Sequence, residues 1–244
     1  GTPNDAFGFQ ALVNNTTGVN NVAVGYQALA SNTIGTYNVS IGTSSLVANV
    51  NGSFNVAIGY NSLGSNTANS GSTAVGHAAL QLTTAGNNSA FGYLALQNNT
   101  SGTPNDAFGY YALNKNTTGA NNVAVGSYSL QTNTTGNNNT AVGQGALSNS
   151  TVNANTAVGQ SAGNAVSSGS SNVLLGQSAG YTGTNNLTTG ASNTLIGTAC
   201  AVSAAGATNQ IVIGANNVGQ GDNYVSIGKG GTNYIYNQFT VNAT

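Results

Sequence analysis

The chain has 244 residues, and only 2% of them are charged: two Lys or Arg stand against three Asp or Glu, for a net charge of −1. Soluble domains typically carry roughly 25% charged residues, and electrostatic capture of nucleic acid needs clustered Lys or Arg, so the composition argues against both an ordinary globular surface and nucleic-acid binding. The apolar runs are short and no polybasic patch occurs, so membrane insertion is not expected. A disordered tract is the remaining simple interpretation, but 39% of the residues are apolar and they recur at fixed intervals, which favours a repeat fold.

A motif of the form Asn-x-Ala-(Val/Ile/Phe)-Gly recurs from the start of the chain almost to its end. Successive motif glycines are mostly 17 residues apart, and the last three copies are looser, at intervals of 21, 17 and 14. The motif glycines are Gly8, Gly25, Gly42, Gly59, Gly76, Gly92, Gly109, Gly126, Gly143, Gly159, Gly176, Gly197, Gly214 and Gly228. Fourteen coils stacked in register predict an all-β, parallel β-solenoid with coils about 4.8 Å apart.

Within each coil the apolar and turn residues keep fixed positions. The residue before the motif Gly is large and apolar, the one before that is Ala or Ser in the first ten coils, and Leu stands four after the Gly in the first nine. This alternation predicts a strand of about five residues with the two series on opposite faces. Gly or Asn ten residues after the motif Gly, as at Gly18 and Gly35, predicts a left-handed turn residue. One coil is therefore predicted to run strand, turn, strand, turn.

Asparagine recurs four residues before the motif Gly in eleven of the fourteen coils, from Asn4 and Asn21 to Asn193. Stacked identical amides can hydrogen-bond along such a column, which predicts a structural ladder and not a ligand site. A 17-residue coil encloses little volume, so its core is marginal for a lone chain. One apolar series must line the interior, and the other is free to meet a partner, which predicts a homotrimer.

These residues carry a family resemblance. The segment Asn21–Leu29, Asn-Val-Ala-Val-Gly-Tyr-Gln-Ala-Leu, and its copies resemble the YadA-like head repeat of trimeric autotransporter adhesins, and still more the longer-coil version in bacteriophage tail and capsid fibres. The late motifs at Gly176–Gly180 and Asn209–Ala215 resemble the end of such fibre stems, which often precede a self-cleaving, endosialidase-type chaperone. The resemblance implies a homotrimeric fibre of left-handed parallel β-rolls.

The function expected from this resemblance is a structural, non-enzymatic fibre segment of a bacteriophage that serves host-cell attachment at the virion surface. Its expected partners are two further copies of the chain, other fibre or virion proteins, and a glycan or protein receptor on the host cell. The alternative is the head of a trimeric adhesin on a bacterial cell surface. The low charge departs from many bacterial adhesin heads and favours the phage fibre.

Aromatic residues occupy the position directly after the motif Gly in several coils, and they are the candidate binding residues. The candidates for receptor or glycan binding are Tyr26, Tyr60, His77, Tyr93 and Tyr110. One interpretation is a stacked ladder that only stabilises the sheet, and the other is a strip on which sugar rings lie, since Tyr couples an apolar face to a hydroxyl. Thr43 and Ser127 interrupt the series.

No catalytic, metal or cofactor site is expected. His77 is the single histidine, and Asp5 and Asp106 hold the same coil position six coils apart, on the order of 29 Å at 4.8 Å per coil. A glycosidase pair needs carboxyls within roughly 5–10 Å. Cys200 stands where other coils carry Ala and is predicted to be a buried small hydrophobe.

The chain is predicted to divide into regular coils over 1–180, divergent coils over 181–228 and a C-terminal cap or junction over 229–244. From the tenth coil the Leu position becomes Gly163, Gly180 and Ala201, and beyond Gly228 the motif stops. Exposed strand edges need a cover, so Tyr234, Tyr236 and Phe239 are predicted to pack between chains. The alternative is a frayed end.

Overall fold

A computed structural model describes residues 3–228 and 234–238 and falls into two compact units, Gly1–Ser127 and Tyr128–Thr244. The first unit is a parallel β-solenoid with one short strand in each coil, and each strand pairs with the next strand in sequence. Its strands are β1 (Asp5–Phe7), β2 (Val22–Val24), β3 (Val39–Ile41), β4 (Val56–Ile58), β5 (Thr73–Val75), β6 (Asn88–Phe91), β7 (Asn105–Phe108) and β8 (Asn122–Val125).

The second unit continues the same construction through its divergent repeats. Its parallel strands are β9 (Thr140–Val142), β10 (Thr156–Val158), β11 (Val173–Leu175), β12 (Thr194–Ile196), β13 (Ile211–Ile213) and β14 (Tyr224–Gly228). A last strand, β15 (Tyr234–Gln238), runs antiparallel to β14 and so leaves the coil pattern. The predicted burial of the Tyr234, Tyr236 and Phe239 rings concerns side chains outside the described part of the chain.

The pairing register confirms the predicted repeat. Ala6 pairs with Ala23 and Val24 with Ile41, each one coil of 17 residues further along. Where the interval shortens to 16, Val75 still pairs with Phe91, so the register is kept. The fold is thus an all-β parallel solenoid with coils of about 17 residues, as the motif spacing predicts.

The core consists of the small strand residues and the leucines. In every coil after the first, the residue two before the motif glycine, such as Ala23 or Ala57, is fully buried, and in the second to ninth coils so is the Leu four residues after the glycine, as at Leu29. The large residues before the glycine point outward and stay partly exposed, for example Ile41 at 38% and Ile58 at 36%. The two series therefore lie on opposite sides of the strand, as predicted, with the small one inside.

The predicted second strand of the coil is wrong. The segment after the motif glycine is a run of turns, in which Gln27 and Leu29 have backbone φ of 55° and 51°. Its backbone nevertheless reaches the next coil, since the N–H of Leu29 donates to the carbonyl of Ser45 at 3.1 Å. Leu lacks a branch at Cβ, so it tolerates this left-handed conformation better than Val or Ile, and its burial offsets the remaining strain.

The predicted strand length and turn residue are also corrected. The strands of the first unit have three or four residues where about five were expected. Gly35 does not have the predicted positive φ; the left-handed residue is Tyr37, two positions later, with φ of 58°. Gly35 is needed because a Cβ there would run into the carbonyl of Gly52 and the amide of Asn32. Close approach between coils, and not a dihedral angle, selects glycine here.

The asparagine ladder forms as predicted. Asn38 donates its backbone N–H and its Nδ2 to Oδ1 of Asn21, at 3.0 and 3.1 Å, and its Nδ2 also reaches the carbonyl of Gly52 at 2.9 Å. Asn55 bonds to Asn38 in the same way. The amides are buried and use both their donors and their acceptor along the stack.

A second asparagine ladder, which was not predicted, lies seven residues after the motif glycine. Asn49 donates to Asn32 at 2.9 Å and Asn66 donates to Asn49 at 3.0 Å. Repeated Asn-Thr-Thr tracts, such as those that begin at Asn15, Asn116 and Asn133, carry this signal in the sequence, but the same residues are also typical of turns.

In the second unit, core volume moves from one coil position to another. Gly163 and Gly180 stand where the earlier coils have Leu, and they keep the left-handed backbone with φ of 59° and 71°. The strand position that holds Ala or Ser in the first ten coils holds Leu174 and Leu195 instead, both fully buried. A Cβ built on Gly163 would lie against the side chain of Leu174, so one side chain has replaced the other in the same space.

We expect Leu174→Ala to lower the free energy of unfolding by about 2–5 kcal/mol, because it empties this space. Gly163→Leu alone should cost about 1–3 kcal/mol through overpacking. The double variant should recover a large part of both losses, because it recreates the Ala and Leu arrangement of the earlier coils. A double-mutant cycle by urea unfolding at fixed protein concentration measures the coupling.

Gly183→Leu is the matched control, because Gly183 also has a positive φ, of 91°, but no atom lies within 4 Å of its added Cβ. Its effect should add to that of Leu174→Ala without coupling. Simple additivity of Gly163→Leu and Leu174→Ala would contradict the volume exchange.

Candidate functional site

The candidate residues Tyr26, Tyr60, His77, Tyr93 and Tyr110 all lie in the first unit, directly after a motif glycine. Gly25 has a φ of 129°, and a Cβ on it would come within 2.7 Å of the backbone of Gly42, so only glycine fits where the strand ends. The residue that follows turns out of the coil, and its side chain is exposed: 49% for Tyr26 and 54% for Tyr60. In-register stacking then places these side chains in one column.

Four of the five candidates form a continuous stack. The ring centroids of Tyr60 and His77 are 5.1 Å apart, those of His77 and Tyr93 are 5.0 Å apart, and those of Tyr93 and Tyr110 are 5.4 Å apart. The interplanar angles are 20°, 22° and 14°, so the rings are nearly parallel. We call Tyr60, His77, Tyr93 and Tyr110 the aromatic ladder.

The fifth candidate, Tyr26, does not join the aromatic ladder. It stacks on Phe9, with centroids 5.7 Å apart and an interplanar angle of 13°. Thr43 occupies the coil between Tyr26 and Tyr60, so one rung is missing. The column therefore consists of a pair, a gap and a stack of four.

Stacking limits which parts of the rings in the aromatic ladder a ligand can contact. Inside the stack each ring face is covered by the next ring, so His77 and Tyr93 offer their edges and polar atoms. A free ring face remains where the stack ends, as on the side of Tyr60 that looks toward Thr43. Binding of a receptor or glycan to these residues stays a prediction.

The structure adds Tyr111 to this surface, a residue not predicted as part of it. Its ring lies edge-on to Tyr110, with centroids 4.6 Å apart at 62°, and 5.8 Å from the ring of Tyr93. Desolvation, together with the neighbouring Tyr110 and Tyr93 hydroxyls, raises the pKa of Tyr111. The adjacent tyrosines Tyr110 and Tyr111 are the feature of the sequence that could have indicated this contact.

Two further exposed aromatic pairs occur on other faces of the first unit. Tyr37 and Phe54 stack with centroids 5.2 Å apart at 5°, and Phe91 and Phe108 stack with centroids 4.9 Å apart at 8°. Phe91 and Phe108 belong to the large apolar series on the outer side of the strands.

The acidic residues are scattered, as their sequence positions predict. Asp5 is in β1 and Asp106 in β7, while Asp222 lies in the second unit. Among residues 3–228, no three His, Cys, Asp or Glu side chains come together in a way that could hold a metal ion. The described residues also include no helix of the length and apolar character needed to cross a bilayer.

Asp222 has a local structural role. Its Oδ1 accepts the backbone N–H of Thr208 at 2.8 Å and lies 3.4 Å from Nε2 of Gln210. The hydrogen bond from Thr208 is the main cause that lowers the pKa of Asp222 below its ordinary value. The carboxylate thus joins two successive divergent coils.

Because the folded-state pKa of Asp222 is lowered, its contribution to stability is complete above its ordinary pKa of 3.8 and is lost as the pH falls through the lower folded value. We therefore expect the melting temperature to drop more between pH 5 and pH 2 in the parent protein than in Asp222→Asn. The asparagine keeps an acceptor for Thr208 but does not titrate. Equal slopes in the two proteins would show that Asp222 has no part in the acid response.

Cys200 is fully buried, which confirms the prediction of a small core residue, and its Sγ lies 3.1 Å from the carbonyl oxygen of Gly197. Burial raises the pKa of its thiol from 9.0 to about 11. At pH 8 the thiolate fraction should therefore be roughly a hundredfold lower than for a free thiol.

We expect iodoacetamide at pH 8 to leave Cys200 unmodified in the folded protein and to alkylate it rapidly in urea. Intact mass spectrometry follows the modification. Equal rates in the folded and unfolded protein would contradict the burial of this thiol.

A scan against protein-family models and a search of curated proteins both found no match for this chain.

Proposed function

We propose that this chain is a segment of a homotrimeric bacteriophage fibre that serves host-cell attachment and has no enzymatic activity. The observation that carries the proposal is the outer side of the strands. In each unit a large apolar residue recurs at the same coil position, beside its copy in the next coil. Ile41 and Ile58 are such a pair, and both are more than a third exposed. The column extends along every parallel strand of the unit.

A continuous apolar column of this kind is unusual on a monomer and marks an interaction surface. Two further copies of the same chain are its natural cover, because three identical columns meeting around a threefold axis close the assembly without leaving a free edge. The narrow core of Ala and Leu also gains from added burial. The left-handed winding implied by the YadA-like resemblance is part of this proposal.

The repetition of the coils supports the proposed attachment role. Each coil presents the same positions to solvent, so a weak contact made by one coil is available from several coils and from three chains, and avidity multiplies it. The expected receptor is a glycan or a protein on the host cell, and the expected place of action is the virion surface. The aromatic ladder is the first candidate for the contact.

The bacterial trimeric adhesin head is the second candidate function, because it would present the same coils on a cell surface. The flanking gene sequence separates the two: a downstream self-cleaving chaperone domain supports the phage fibre, and a downstream coiled coil with a membrane anchor supports the adhesin. Binding of the labelled protein to candidate host cells tests attachment in either case.

The trimer has a direct test. Light scattering after size exclusion should give three times the 24.0 kDa chain mass for the parent protein. Ile58→Asp should lower the mass, because it places three carboxylates in the proposed interface, whereas Ala68→Asp on an exposed turn should not. A monodisperse monomer of the parent chain at working concentration would refute the trimer.

A further inference from the structure

The missing rung between Tyr26 and Tyr60 is an open slot between two aromatic faces. Tyr26 stacks on Phe9 and Tyr60 stacks on His77, so each has one covered face and one face directed toward the coil of Thr43. Since the two rings are two coils apart, their separation is about 10 Å. That separation accommodates one further ring, whose centroid would have the same spacing to each neighbouring ring as the rings of the aromatic ladder have to one another.

The gap is not caused by local disruption of the stack. The N–H of Ser44 donates to the carbonyl of Tyr26 at 2.8 Å, and the N–H of Asn61 donates to the carbonyl of Thr43 at 3.0 Å. The coil that lacks a ring is therefore held in register with the coil on each side. This coil differs from its two neighbours at this position only because it carries the short, exposed side chain of Thr43 where they carry an aromatic ring.

The floor of the slot is polar. Within the described part of the chain, the hydroxyls of Thr43 and Ser44 make no hydrogen bond to another protein group, so they are available to a ligand. Gln27 donates its Nε2 to Oε1 of Gln10 at 2.9 Å, which leaves the Gln27 carbonyl oxygen as an acceptor. Thr43 holds the coil position of the missing ring, and Ser44 and Gln27 hold the position directly after it in their coils, so two hydroxyls and an amide oxygen border the slot.

We propose that this slot binds a single pyranose ring of a cell-surface glycan, held between the faces of Tyr26 and Tyr60 with its hydroxyls on Thr43, Ser44 and Gln27. The inference rests on the proposed attachment function for the source of its ligand. Sugar rings present C–H groups to aromatic faces and hydroxyls at their rim, and this slot offers partners for both. A flat aromatic side chain would fill the gap but would cover the free hydroxyls without pairing them.

Coil spacing also favours a saturated ring. A pyranose chair is thicker than an aromatic ring, so it contacts both faces of a slot about 10 Å wide without the tilt that the ladder rings show. The second interruption, at Ser127, has Tyr110 on the side of the preceding coil of the first unit. It supplies a matched position for a control substitution.

Saturation-transfer difference NMR tests the slot on the assembled protein, because the ligand is observed and the size of the fibre does not matter. The probes are the methyl glycosides of glucose, galactose, mannose and N-acetylglucosamine. At least one should receive saturation at ring protons on both of its faces. Thr43→Tyr completes the aromatic column and should weaken this binding about tenfold or more, while Ser127→Tyr, which also adds a tyrosine, should leave it unchanged.

Several outcomes would overturn the slot: no transfer to any of the four glycosides, transfer to one face only, equal binding by Thr43→Tyr, or binding of a tyrosine-containing peptide in place of the sugars. A cell-binding assay with the same variants separates the slot from the attachment function. If the parent protein binds a sugar, Thr43→Tyr removes that binding and the protein binds no host cell, the slot is supported and the attachment function is rejected. If Thr43→Tyr abolishes sugar binding but leaves cell binding intact, the slot is supported and attachment is assigned to another surface.

Discussion

The hydrogen bonds between buried asparagines hold each coil in register with the next, and the other features of the fold depend on that register. Asn38 donates its Nδ2 to Oδ1 of Asn21 on one side and accepts at its own Oδ1 the Nδ2 of Asn55 on the other, and the whole side chain is buried. A buried amide without partners costs about 1–3 kcal/mol, and a one-residue slip would also exchange the inner and outer faces of every strand. The apolar and aromatic columns exist because this slip is prevented.

Register also explains how the core tolerates a strained backbone. In each of the first nine coils the inward-facing leucine itself has a left-handed backbone, such as Leu63 with φ of 50°, at a cost of about 1–3 kcal/mol. Where the second unit places Gly163 at that position, the strain falls but the side chain is lost, and Leu174 supplies the volume from the strand. The requirement conserved from coil to coil is a filled interior with this backbone path, and the residue that fills it varies.

The sequence was sufficient to predict the parallel solenoid, its 17-residue coil, the inner and outer apolar series and the first asparagine ladder, because these depend on spacing alone. It was not sufficient for the turn segments. An Ala-Leu pair is typical of a strand or a helix. No residue near Leu29 indicates a left-handed backbone, because only tertiary packing stabilises that conformation. Gly35 was misassigned because close approach and positive φ both select glycine. The aromatic column was predictable, whereas the ring faces covered inside it required coordinates.

The scarcity of charge follows from the same stacking. A charged residue repeated at one coil position would face its own copy about 4.8 Å away, which costs roughly 1 kcal/mol per neighbour in water and about 3 kcal/mol at an effective dielectric of about 20. A column of such residues would accumulate this cost at every step, and Asp5 and Asp106 avoid it by lying six coils apart. A surface built under this constraint can recognise a partner through ring faces, hydroxyls and amides. Neutral sugars offer the matching C–H faces and hydroxyl groups, so the constraint that limits charge on the coils agrees with the glycan that we propose for the slot at Thr43.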